Sequence, residues 1–478
     1  MLACGIAGCA EQLAQLPELH PMRDVSREPG TAWTPRPGDA VPTFVPGERP
    51  PALPPELAEQ ADRLSLAQLV DAALRESPST RVAWQTARAA AAQYGQARGA
   101  YYPSVEASAA GVYEQLREPQ GTIEFRGGFG EVGATLSYLL LDFGGRDASV
   151  DAARQALVAA NWNQNQAIQD VLLNVAVAYD TYIGAKAEVR AAQANLRDAE
   201  TSLHAADARL QYGAGTIADV YQARADQAQA TLVLVGARGA VETARGVLAT
   251  AVGWRADTRF DVATAPASLP LADVEHAVDR LIESAQRDRP ALAAARARVL
   301  QQQAVLRQAE SALWPTLHGD GGFQQQWVNK DEGGPNEQNT NYRAGIRVTA
   351  PIFEGFALRN AVRSARATLA ATRAQLELSE QEVIDDVWTA YYAFRTAAEQ
   401  LDATRTLLAS AQESYDVSSE RYRLGAGDIV QLLNTQSTLA AARATLVSAE
   451  TALYVGYAQL LHAIGAAQPA TLAGPTKM

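Results

Sequence analysis

The feature that most limits what this chain can become runs from Val189 to Ala251. Val189, Leu196, Leu203 and Leu210 recur every seven residues, with Ala192, Ala199 and Ala206 three places after the first three. The ladder stops at Tyr212-Gly213-Ala214-Gly215-Thr216. It resumes as Val220, Gln227, Leu234, Val241 and Leu248, interleaved with Ala223, Ala230, Ala237, Ala244 and Ala251. A sustained 3-4 spacing is the seam of helices packed knobs into holes, and glycines let a chain reverse within one turn. The stretch reads as an antiparallel coiled-coil hairpin.

The same object returns 212 residues later, with Gly213 mapping to Gly425. Leu401, Leu408, Tyr415 and Tyr422 descend, Leu424-Gly425-Ala426-Gly427-Asp428 turns, and Leu432, Leu439, Leu446, Leu453 and Leu460 return. The offset also carries Pro78 to Pro290, Pro103 to Pro315, Asp142 to Glu354, Tyr179 to Tyr391 and Gly253 to Gly465. One unit of about 190 residues is used twice, and repeat architectures announce themselves by such a fixed period.

This sets the expected divisions. Residues 1–9 read as the remnant of a secretion signal, with its start expected upstream of Met1, and Ile6-Ala7-Gly8-Cys9 resembles the lipobox of bacterial lipoproteins, which implies acylation, palmitate included, at Cys9. Residues 10–60 form a proline-rich strap: 17–55 hold eleven of the 22 prolines, too many for helix or central strand. Repeat one spans 61–253, a linker 254–277, repeat two 278–465 and a tail 466–478.

Within each repeat the period changes from helical to alternating and back. Val132, Ala134, Leu136, Tyr138 and Leu140 alternate with Glu131, Gly133, Thr135 and Ser137. Tyr342, Ala344, Ile346, Val348, Ala350 and Ile352 alternate with Arg343, Gly345, Arg347 and Thr349. Such period-two patterning predicts strands over about 104–115, 130–142, 316–328 and 341–352, with an irregular stretch near Gly127 and Gly128. Long helices are expected over about 146–210 and 356–422, and return helices over 217–252 and 428–464.

Several functions are excluded by what is missing. The net charge of −12 disfavours nucleic acid, which needs clustered surplus cations. The cysteines are Cys4 and Cys9 alone, and the histidines (His20, His204, His276, His318, His462) have no HxxxH spacing. No metal site, cofactor site or nucleophile–base pair is legible, so an enzyme is not expected. No run of 18 apolar residues exists to make a transmembrane helix. About ten strand residues, tilted about 45°, instead span roughly 24 Å, close to an outer-membrane apolar band. A polar lumen face bearing Arg343 and Arg347 and an apolar lipid face fit that use. Four strands leave open edges, which lipid does not tolerate, so several copies must contribute.

Together these features resemble the TolC-type outer-membrane efflux proteins, over about residues 60–466. The resemblance rests on the duplication, the two-strand hairpin inside each helical repeat, Pro315-Thr316-Leu317 leading into a strand, and the Tyr422-Arg423-Leu424-Gly425-Ala426-Gly427 turn. It implies a mainly α fold with a transmembrane β-barrel: a homotrimer whose strands, four per protomer, form one 12-stranded barrel, above a periplasmic helical tunnel. The implied function is the outer-membrane channel of a tripartite efflux or type I secretion system. Its implied partners are a periplasmic adaptor (membrane fusion protein), an inner-membrane pump and outer-membrane lipid. A secreted coiled-coil structural or adaptor protein is the competing reading, but it gives no reason for arginines behind an apolar strand face.

The resemblance also assigns sites. The adaptor-docking tips are Gly213, Ala214, Gly215, Thr216, Leu424, Gly425, Ala426, Gly427 and Asp428. The periplasmic gate is Asp219, Tyr422, Gln431 and Asn434, with Asp219 and Tyr422 locking neighbouring hairpins. Gln431 and Asn434 stand where the family carries aspartate rings, and Gly427 where it carries a lock arginine. Thr216-x-x-Asp219 and Asp428-x-x-Gln431 also fit helix capping boxes, so Asp219 reads equally as a cap.

Overall fold

In a computed structural model the chain is described over residues 53–117, 123–263, 278–330 and 337–467. The acylation candidate Cys9, most of the strap, the loops at Pro119-Gln120-Gly121 and Gly333-Gly334-Pro335, and most of the linker and tail lie outside these residues.

After a helical turn at Pro55–Ala58, the order is α1 (Leu66–Glu76), α2 (Pro78–Arg98), β1 (Ser104–Arg117), β2 (Ile123–Leu141), α3 (Gly145–Gln211) and α4 (Ile217–Val252). The second repeat gives α5 (Val278–Asp288), α6 (Pro290–Ser311), β3 (Thr316–Lys330), β4 (Glu337–Thr349), α7 (Ala357–Arg423) and α8 (Ile429–Ala463). Both long helices have 67 residues, which at 1.5 Å per residue is about 100 Å each.

Short helices stack end to end along the long ones. Against α3, α6 makes its contacts near Asp151 and Asn163, through Arg307 at 2.5 Å and Arg298 at 3.3 Å. Farther along α3, α8 takes over at Asp170, Asp198 and Ser202. The alanines of the ladder explain the close approach: Ala192, Ala199, Ala206, Ala223 and Ala442 are buried along these seams.

Proline and glycine punctuate both repeats at matching places. Pro78 and Pro290 begin α2 and α6, where the missing N–H costs nothing. The kinks they create are covered by Gly253 and Gly465, left-handed at φ 98° and 75°. A Cβ on Gly253 would sit 3.1 Å from the Glu76 carbonyl and the Ser77 Cα, and one on Gly465 3.1 Å from the Arg289 Cα. Around the first kink, Leu69, Val70, Val175, Leu248, Val252, Trp254 and Phe260 form the main core, and Trp254 Nε1 donates to Glu76 at 2.7 Å.

The strands form one antiparallel sheet in the order β1-β2-β3-β4. They differ from the sequence-based bounds in instructive ways. β2 begins at Ile123 instead of about 130, and Gly127 and Gly128 lie in an unbroken ladder, paired with Glu114 and Tyr113 on one side and Lys330 and Asn329 on the other. Glycines erase the alternating pattern without breaking backbone pairing. Irregularities fall elsewhere, at Leu116/Arg117 and Leu139/Leu141. β4 runs from Glu337 to Thr349, so Ala350 and Ile352 are outside it. Pro351 has no N–H to give a ladder, which ends the strand early.

Candidate functional site

The sheet is two-faced. The register aligns Glu106, Thr135, Gly322 and Arg343 in one row, and Ser104, Ser137, Asp320 and Gly345 in another. On this polar face Ser137 Oγ donates to Asp320 at 3.3 Å, Gln324 Nε2 to Glu131 at 2.6 Å, and Arg347 lies 3.4 Å from Asp320. The opposite face carries Val105, Tyr113, Val132, Leu136, Phe323, Trp327, Tyr342, Ile346 and Val348, all exposed. Alternation along each strand makes both faces from one sequence. Arg343 and Arg347 thus share the polar face, as the pattern predicts.

At the helix end of the sheet sits a band of aromatics that periodicity did not single out. Tyr101, Tyr102, Phe143, Trp314, Phe353 and Phe356 are all exposed, and Phe143 stacks on Trp314 with centroids 5.5 Å apart. Phe143 and Phe356 adopt left-handed φ of 51° and 64° where strand turns into helix. Each is followed or preceded by a left-handed glycine, Gly144 or Gly355. Tyr and Trp, with an apolar ring and a polar tip, are enriched at membrane–water boundaries, and Tyr101, Tyr102 and Trp314 supply such rings here. No described helix is long and apolar enough to cross a membrane.

Roughly 100 Å away along α3 are the hairpin tips. Gly213 (φ 73°) and Gly425 (φ 78°) make the left-handed step that ends α3 and α7. The second glycine of each turn is needed for proximity: a Cβ on Gly215 would lie 3.1 Å from the Arg209 Cβ, and one on Gly427 3.2 Å from the Tyr422 nitrogen. Thr216 and Asp219 form a complete capping box, with Thr216 N donating to Asp219 Oδ2 at 3.0 Å and Asp219 N to Thr216 Oγ1 at 3.3 Å. Asp428 caps α8 by accepting from Gln431 N at 2.8 Å. Gln431 and Asn434 lie on the exposed side of α8.

Tyr422 is not at the surface. It is 1% exposed, and its hydroxyl has no hydrogen-bond partner among the described residues. Burial, offset by the Arg209 guanidinium and reinforced by the Asp219 charge, pushes its phenol up from the ordinary range. Asp219 therefore stands close to Tyr422 but spends its hydrogen bond on the Thr216 cap.

The side chain that joins the two tips is Arg209, which sequence reasoning passed over. Its guanidinium lies 4.4 Å from the Tyr422 ring centre and donates to the carbonyls of Tyr422 (2.8 Å), Gly427 (3.3 Å) and Ala214 (3.0 Å). The signal was available in the duplication. The 212-residue offset carries Arg209 onto Arg421, which likewise donates to its own turn, at the Ala426 carbonyl.

Above the tips, polar side chains cross the seam between the hairpins. Ser202 Oγ donates to Gln436 Oε1 at 2.6 Å, and Gln436 Nε2 donates to Asp226. Arg443 on α8 donates to Asp198 (2.6 Å) and Asn195 (2.8 Å) on α3 and to Gln412 (3.2 Å) on α7. Higher still, His462 meets Asp170 at 2.8 Å.

Comparison with known proteins agrees with this architecture. The family profile described as "Outer membrane efflux protein" matches residues 69–254 and 281–466, once per repeat. Protein CyaE of Bordetella pertussis is 28% identical over 413 residues, 85% of this chain and 86% of that one. The outer membrane efflux protein BepC of Brucella suis is 26% identical, over 77% of this chain and 78% of its own. Among solved structures, the Campylobacter jejuni CmeC outer membrane channel superposes with a TM-score of 0.73, covering 88% of this chain and 89% of that one at 19% identity, a likeness of fold. Such proteins are outer-membrane channels with a periplasmic helical part, and not enzymes. The chain belongs to the outer membrane efflux protein family.

Proposed function

We propose that the chain works as a homotrimer in which three sheets close one barrel and the helical parts form a periplasmic conduit. In this reading the polar face with Arg343 and Arg347 lines the lumen and the apolar face meets lipid. The tips from Gly213 to Thr216 and from Leu424 to Asp428 dock a periplasmic adaptor and, through it, an inner-membrane pump of an efflux or type I secretion system. Asp219, Tyr422, Gln431 and Asn434 surround the periplasmic gate, and Cys9 carries lipid.

The observation that carries the reading is the two-faced sheet whose order, among the described residues, leaves β1 and β4 as its edge strands. Unpaired N–H and C=O groups are not tolerated in hydrocarbon, and closure with further copies satisfies them. Native mass measurement of the detergent-extracted protein, followed by planar-bilayer conductance, tests it. A trimer that conducts ions is expected. A monomer with full strand content would overturn the reading.

A further inference from the structure

Resting on the trimer reading above, we infer a specific seam between adjacent copies: β4 of one protomer pairs end to end with β1 of the next, setting Arg347 opposite Glu106. The edge strands have nearly equal lengths, 13 residues in β4 and 14 in β1. In an up-and-down sheet the two run antiparallel across a closing seam. Pairing their helix-side ends puts Thr349 opposite Ser104. It then puts Arg347 opposite Glu106 and Gly345 opposite Ser108, and at the far ends Glu337 opposite residue 116. All 13 residues of β4 are thereby set against residues of the next β1.

Three features fit this register. Within one protomer Ser104 shares a row with Gly345, so setting Ser104 against Thr349 is a stagger of four residues. Four strands spaced about 4.8 Å and tilted about 35–45° require a stagger of roughly four to six residues per protomer. The sense agrees with the step already present inside the sheet, where β2 runs past the Ser104 row to Leu141. The stagger is also even, which keeps polar face with polar face, whereas an odd one would turn Arg347 into lipid.

Side chains on both faces are complementary in this register. On the polar face a carboxylate meets a guanidinium, and Arg347 would then bridge Asp320 of its own sheet, 3.4 Å away, to Glu106 of the next copy. On the apolar face Tyr342, 79% exposed, falls opposite Gly111, whose Cβ position has nothing within 4 Å. Ile346 falls opposite Ala107 and Val348 opposite Val105. An aromatic laid over a cross-strand glycine and large-to-small pairing are what a strand interface rewards.

Disulfide trapping in a Cys4→Ser, Cys9→Ser background, which carries no native thiol, reads the register directly. Gly345→Cys combined with Ser108→Cys should give covalent dimers and trimers on oxidation, while Gly345→Cys with Ser104→Cys or Val112→Cys should give far less. Charge gives an independent readout. Arg347→Glu should shorten the detergent lifetime of the trimer about tenfold, and Glu106→Arg added to it should restore most of that loss. Trapping at another register, or no recovery on the charge swap, overturns the seam while a trimeric mass leaves the channel reading standing. A monomeric mass for the parent protein overturns both.

Discussion

The Arg209 guanidinium lies 4.4 Å from the centre of the Tyr422 ring and donates to the Tyr422 carbonyl at 2.8 Å, so one side chain fastens the first hairpin tip to the second. Hydrogen bonds from a charged donor contribute about 1.5–3 kcal/mol each and a partly desolvated cation–π contact about 0.5–2 kcal/mol, without simple additivity. Arg209→Ala is expected to release the tips, raising single-channel conductance in a planar bilayer while leaving the trimer assembled. Arg209→Lys should rescue little, because an ammonium lacks the planar fork that reaches three carbonyls at once. Unchanged conductance in Arg209→Ala would show that the tips are held elsewhere.

Tyr422→Phe should behave differently. It deletes a buried hydroxyl that has no hydrogen-bond partner among the described residues, so stability should change by less than about 1 kcal/mol and the ring should still carry Arg209. Asp219→Ala should cost about 0.3–1 kcal/mol, because it removes the carboxylate that accepts from the Thr216 N–H at the helix start while Thr216 Oγ1 still caps α4. Thermal melts of the two single variants and the double variant check this. A large, non-additive effect in the double variant would instead indicate a phenol–carboxylate lock.

The contrast between these residues explains what was legible in the chain. Ladder, turn and strand signals are local, and they mark both the helix over 217–252 and the shared face of Arg343 and Arg347. Arg209 acts on Tyr422, Gly427 and Ala214 through three dimensions, and its contact with Tyr422 spans 213 positions in sequence. No periodicity marks such a contact. Gly127 and Gly128 failed for the opposite reason, since a residue with no side chain gives no alternation to read although its backbone pairs normally. Phe143 and Phe356 hid in the same way, because an aromatic in a left-handed turn looks like one more apolar residue.

Glycines of similar sequence context should not cost the same to replace. Gly425→Ala introduces a left-handed alanine into open space and should cost about 1–2 kcal/mol. Gly253→Ala adds a contact at 3.1 Å with the Glu76 carbonyl and the Ser77 Cα, and should cost about 2–4 kcal/mol in all. Urea-induced loss of helical signal compares them. Equal costs would mean that the Glu76–Ser77 kink yields freely.

Asp180, on α3, is forced by burial to hold its proton up to about pH 7. An unfolded aspartate titrates near about 3.9. Between these values the folded chain binds more protons than the unfolded one, so this group's contribution to stability falls as pH rises from about 4 to about 7 and stays lost above. Asp180→Asn should leave the melting midpoint unchanged near pH 4 and raise it at pH 8. A parent and variant that melt in parallel across this range would contradict the assignment.

Arg443 tests whether the polar seam supplies stability or only alignment. Its pair with Asp198 is mostly buried, with side chains 19% and 24% exposed, and Asn195 and Gln412 each accept a further hydrogen bond from the guanidinium. Removing one partner of a buried pair strands the other, so Arg443→Leu should cost about 3–5 kcal/mol, as should Asp198→Leu. Replacing both removes the stranded charge, and apolar side chains of similar volume often restore stability in such sites. The double variant should therefore melt close to the parent. If the seam sets the register of α8 on α3, however, the same stable double variant should conduct with a broadened distribution of open levels, because leucines slide where a guanidinium fork cannot. A double variant with the parent's sharp conductance would leave the ladder of Leu432, Leu439, Leu446 and Leu453 sufficient to fix the register alone.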